Sequence, residues 1–150
     1  MKKTSLALLA FVMSACAGLV AEPSPTRQAY LDHLERWRDQ AWVNYDMVYQ
    51  RRCYCLPQHS RPLRLQVRNG VISQARYADD GARLDDGVEH DLKTVSDWFE
   101  VIEAASRYPA ASLDVDYDAA FGFPREIDID YDKRIADDEQ SVTIFEVIRR

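Results

Sequence analysis

The chain has 150 residues, with 19 Lys and Arg against 25 Asp and Glu and a formal charge of −6. That length holds one domain with a real core, and the acidic balance argues against a nucleic-acid or anionic-membrane surface as partner.

The first stretch, MKKTSLALLAFVMSAC, places Lys2 and Lys3 ahead of a short apolar run from Leu6 to Met13, followed by small residues. This is the layout of a secretory signal, and the run is too short for the ~20 residues of a spanning helix. Met13-Ser14-Ala15-Cys16 resembles the bacterial lipoprotein box. The resemblance implies cleavage after residue 15 and lipidation of Cys16. With Ala17 rather than Asp following, it also implies sorting to the outer membrane, with the domain in the periplasm. A secreted or soluble periplasmic product is the alternative. Loss of Lys2 and Lys3, with no acid, would take the charge from −6 to about −8. Residues 16–25 read as a tether and 26–150 as a single domain.

Tyr30, Leu34 and Trp37, with Leu31 beside them, recur at helical spacing, and Thr26 is placed to cap that helix. Trp42, Tyr45, Val48 and Tyr49 are strand formers, with Val43, Tyr45, Met47 and Tyr49 on one face. Pro57 and Pro62 mark a loop. Leu63, Leu65 and Val67 alternate with Arg64, Gln66 and Arg68, then Asn69-Gly70 gives a type I′ turn and Val71-Ile72 starts the return strand. Asp79 to Asp91 reads as an exposed acidic loop. Thr94 to Arg107 reads as a helix with a Val95, Trp98, Phe99, Ile102 stripe and a Thr94/Asp97 capping box. LDVDYD and EIDIDYD are two strands around a Gly122/Pro124 turn, and SVTIFEVI is the last strand. The expected class is α+β: a largely antiparallel sheet of about six strands with two helices on one face.

In this order the pieces resemble the bacterial envelope proteins grouped as domain of unknown function 6174. The segments that carry the resemblance are Trp42 to Tyr49, Cys53-Tyr54-Cys55 with Pro57, Val67 to Val71, Thr94 to Ile102, Val115 to Asp118, Gly122-Phe123-Pro124 and Ile127 to Asp130. The resemblance implies an exported, often lipid-anchored domain with a paired-cysteine strand, and no assigned activity.

Cys53 and Cys55 are the thiols with chemistry to explain. Outside the cytosol they are expected to be oxidised, bonded to each other or to another molecule. As metal ligands they have His59 as a third candidate, but His33 and His90 sit in unrelated segments and a closed zinc site needs four ligands. As a redox couple they lack the Cys-X-X-Cys spacing at a helix start, and alternate residues on a regular strand point apart, so pairing needs a bend. Asp128, Asp130, Asp132 and Glu139 fall at calcium-loop positions one, three, five and twelve, yet Lys133 stands where that loop needs glycine. The simpler reading puts Ile127, Ile129 and Tyr131 inward and the aspartates in water. No nucleophile elbow or phosphate loop is present. The expectation is a non-catalytic envelope interaction module without cofactor, with a protein partner. A calcium- or metal-responsive binding protein using the acidic segment from Asp128 to Glu139 and a thiol–disulfide oxidoreductase using Cys53 and Cys55 are the alternatives.

Overall fold

A computed structural model describes residues 24–108, 110–135 and 137–150. The signal-like segment, Cys16 and residues 17–23 of the tether lie outside the described residues. No described helix is long and apolar enough to cross a membrane.

The first helix, α1 (Pro25–Asp39), starts earlier than the sequence predicts. Ser24, not Thr26, is its cap, with Oγ accepting from the Arg27 N–H at 3.2 Å. Pro25 at the first position has no N–H to leave unpaired, which makes Ser-Pro a better start than Thr26. Tyr30 and Trp37 are buried, while Leu31 is exposed and is not part of the core stripe. Strand β1 (Tyr45–Cys53) also begins later than expected, because Ala41 takes a positive φ of 50° and turns the chain. Trp42 therefore lies before the strand, packed on Trp37 and Phe121, and Val43 is exposed. Tyr45, Met47 and Tyr49 share the buried face as predicted.

Strands β2 (Leu63–Arg68) and β3 (Val71–Tyr77) form the predicted hairpin, with Asn69 and Gly70 both at positive φ (53° and 79°), as a type I′ turn needs. The acidic stretch after β3 is not wholly a solvated loop. Val88–Asp91 forms a short 3-10 turn, Val88 is buried, and the Tyr77 hydroxyl both donates to the Asp85 carboxylate and accepts from the Asp85 N–H.

The second helix, α2 (Val95–Arg107), carries the predicted capping box. The Thr94 hydroxyl accepts from the Asp97 N–H at 3.2 Å, and the Asp97 carboxylate accepts from the Thr94 N–H at 2.7 Å. Two β1 tyrosines also hold this helix start, since Tyr45 Oη accepts from the Val95 N–H and Tyr49 Oη from the Lys93 N–H. Burial raises both phenols, Tyr49 to about 12, so they stay neutral in these bonds.

Three strands follow: β4 (Ser112–Tyr117), β5 (Pro124–Asp130) and β6 (Gln140–Arg149). The β4–β5 turn closes earlier than the predicted Gly122/Pro124 position. The Asp118 carboxylate accepts from the N–H groups of Ala120 and Phe121, the Gly122 N–H returns to the Asp118 carbonyl, and Pro124 already belongs to β5. The six strands make one antiparallel sheet in the order β3-β2-β1-β6-β5-β4. The α+β class is as expected. One sheet face and the apolar stripes of both helices build a single core around Trp98, Tyr49, Phe99, Met47 and Leu65.

Candidate functional site

Cys53 is the last residue of β1 and lies opposite Gln140 on β6. Beyond it the ladder ends and the chain folds back at once, with the Cys55 N–H donating to the Cys53 carbonyl at 2.9 Å. That bend brings the two thiols to one side, and Cys53 and Cys55 are disulfide-bonded with Cα atoms 5.3 Å apart. The obstacle of alternating strand directions is removed because only one of the two cysteines belongs to the strand.

The surroundings of the bond follow no sequence motif. A 3-10 turn over Pro57–Ser60 brings Ser60 Oγ to 3.3 Å from Cys55 Sγ. The Arg51 guanidinium places Nη2 3.8 Å from Cys53 Sγ and Nη1 3.3 Å from the Asp91 carboxylate. His59 does not turn to the sulfurs; its Nδ1 meets Asp91 at 3.0 Å. Burial pushes the Asp91 carboxyl up, but Arg51 and His59 outweigh it and hold it below the usual range. Arg52, Tyr54, Glu139 and Ser141 rim a shallow recess beside Cys53, and the Tyr54 ring is 82% exposed.

The other histidines are elsewhere. His33 stacks on Tyr117 with ring centroids 4.4 Å apart, and His90 stands in solvent beside Glu89. The four calcium-loop positions do not converge. Asp128 and Asp130 are on β5, with Asp128 accepting from the Ser141 hydroxyl; Asp132 is held by Arg134; Glu139 stands at the cysteine corner. Among the described residues no three His, Cys, Asp or Glu side chains gather closely enough to hold a metal ion.

The second notable surface is the face of the sheet turned away from the helices. Side chains alternate along each strand, so the register fixes which residues share it. On β3, β2 and β1 it carries Arg76, Arg64, Arg68 and Arg52. On β5 and β4 it carries Glu126, Asp128, Asp130, Asp114 and Asp116. Phe145 and Ile148 on the central strand β6 stand exposed between the two halves. Some of the charge is internally paired. Asp46 accepts from Arg68 at 2.9 Å and from Arg150 at 2.8 Å, and Arg64 meets Glu146 at 3.2 Å. Burial raises the Asp46 carboxyl, and the two arginines more than reverse that. Among the described residues, Asp114, Asp116 and Glu126 have no ion-pair partner, although Arg125 sits at the bulge of β5.

No curated protein and no solved structure matches this chain. The ordered segments from Trp42 to Asp130 that carry the family resemblance all lie inside the matched part of the chain. Residues 29–149 match the family of unknown function DUF6174, and the chain belongs to that family.

Proposed function

We propose that this protein is a lipid-anchored envelope domain that works by binding, and that the uncovered face of its sheet is the docking surface. Met13-Ser14-Ala15-Cys16 supports the anchor, the outer membrane and the periplasmic address. The observation that carries the binding role is the charge order across the face: arginines on β1 to β3, exposed apolar side chains on β6, and unpaired carboxylates on β4 and β5.

A partner for this face must present the reverse order, and a second copy does so in one orientation. Turned about a two-fold axis parallel to the strands, it lays its β4 and β5 over β2 and β3 of the first. β3 with Arg76 then lies over β4 with Asp114 and Asp116, β2 with Arg64 over β5 with Glu126 and Asp128, and the two β6 apolar strips flank the axis, each over the partner's β1. An in-plane axis across the strands would set arginine against arginine, so charge selects between the two. Six strands about 4.8 Å apart and about 20 Å long offer a plan area of about 600 Å², near the ~800 Å² per partner of a standard interface. The same axis leaves Ser24 of both copies, beside Leu113, at one end of the pair, as two anchors in one membrane leaflet require.

Sedimentation of the full chain is expected to show a dimer in the micromolar range. Arg64→Glu with Arg76→Glu, and separately Asp116→Arg on β4 with Glu126→Arg on β5, should each give monomers, and an equimolar mixture of the two variants should restore a dimer. A wild-type monomer at 100-fold higher concentration would remove the second copy as occupant. Cross-linking in native-host membranes then tests the face itself: a cross-linked product that disappears in both variants retains the docking surface for a different protein, and one unchanged in both refutes it.

A further inference from the structure

We infer that the Cys53–Cys55 bond is a reactive disulfide that oxidises dithiols of other polypeptides, an activity beyond the binding role and independent of it. A disulfide is uncharged and its sulfurs are weak acceptors, so a purely structural bridge gains little from cationic or hydroxyl donors. Here each sulfur has its own: the Arg51 guanidinium at Cys53 and the Ser60 hydroxyl at Cys55. Both contacts strengthen only when the bond opens and a sulfur carries negative charge. Arg51 is held for this, since Asp91 fixes one end of its fork and its side chain is only 15% exposed. Its Nε is buried and has no partner among the described residues.

Access to the two sulfurs is unequal in the matching sense. Cys55 is exposed and Cys53 half-buried. An incoming thiolate reaches Cys55 Sγ, forms a new S–S bond to it and breaks the Cys53–Cys55 bond. The electron pair of the broken bond goes to Cys53 Sγ, which leaves as a thiolate beside Arg51. A lower thiol pKa makes a better leaving group. The second substrate thiol, losing its proton to water, then attacks the substrate sulfur of the mixed disulfide and expels Cys55 as a thiolate, to which Ser60 donates. The substrate dithiol ends as a disulfide, and Cys53 and Cys55 hold its two electrons and, after uptake from water, two protons. The substrate class is an exposed peptide dithiol, with Tyr54 and the recess around Arg52 and Glu139 as its landing ground.

The test uses the full chain, with Cys16 distinguished by peptide mass mapping. In Cys55→Ser, alkylation of Cys53 against pH should titrate at least one unit below the ordinary thiol value of about 8.5. Equilibration of the wild type with glutathione should give a disulfide about tenfold easier to reduce than that of Arg51→Gln, about 30 mV for this two-electron couple. Arg51→Lys should stay near wild type, and Ser60→Ala should shift in the same direction as Arg51→Gln by less. Oxidised protein should convert one equivalent of a reduced peptide dithiol. An ordinary Cys53 titration, which needs no change at Arg51, overturns the proposal, as does equal reducibility of wild type and Arg51→Gln.

Discussion

Replacing Gly122 by alanine is expected to lower the unfolding free energy by about 3 kcal/mol, through two terms that add. Gly122 takes a φ of +87°, which for an L side chain costs about 1–2 kcal/mol. An added Cβ would also stand 2.5 Å from the His33 carbonyl oxygen and 3.0 Å from Arg36 Cβ and Trp37 N. Two of those three atoms are α1 backbone, so the clash is relieved only by moving the helix off the sheet. Trp37, packed edge-on against Tyr45 and Phe123, would be displaced with it. Gly70 is the control. Its φ of +79° is similar but its Cβ position is open space, so Gly70→Ala should cost only about 1 kcal/mol. Urea denaturation of both variants separates clash from backbone strain. Equal destabilisation would show that the close approach of the Gly122 turn to α1 is not tight.

Trp98→Ala is expected to cost about 4 kcal/mol, the range for removing a fully buried tryptophan. Trp98 is wholly buried in the stripe of α2, with the Tyr49 ring 5.6 Å away and the Lys93 ammonium over its face at 5.9 Å. The cavity would open between α2 and β1, the junction that the Tyr45 and Tyr49 hydroxyls also serve. Trp98→Phe should cost far less, about 1–2 kcal/mol, because it keeps an aromatic ring and removes a buried indole N–H that has no partner among the described residues. Fluorescence of Trp37 and Trp42 remains to follow unfolding. A larger drop in stability for Trp98→Phe than for Trp98→Ala would contradict this account.

What the sequence reveals and what it hides divide along the distance between partners in the chain. The Asn69-Gly70 turn and the Thr94/Asp97 capping box are legible because their partners lie within a few residues. Weighing Thr26 as a cap without the proline at the first helical position misplaces the start of α1. Val88 is hidden in an acidic stretch because Leu84 and Val88, interrupted by aspartates and Gly87, are too few to set a period, and only the folded loop shows Val88 buried. Alternation makes the wet side of each strand legible. The segregation of arginines from carboxylates is a property of strand order, and no local pattern reports that β6 separates β1 from β5. The cysteines are legible as a pair, but their donors are not. In the sequence Arg51 is only a nearby cation, and Ser60 arrives through a turn that no motif announces.

Strand order has one more consequence. The centre of the sheet joins β1 to β6, with Tyr45 opposite Arg149. β6 is the last of the six described strands to emerge, after the other five, whether from a ribosome or from an export channel. Until then the hydrogen-bonding edge of β1 is open to any strand that passes, the hazard of an unpaired edge in an incomplete sheet. Closing a loop that spans nearly the whole domain also slows folding. Loss of β6 (Gln140–Arg149) would therefore split the sheet in two rather than trim its margin, and a holdase meeting the unfinished polypeptide would serve it best at β1.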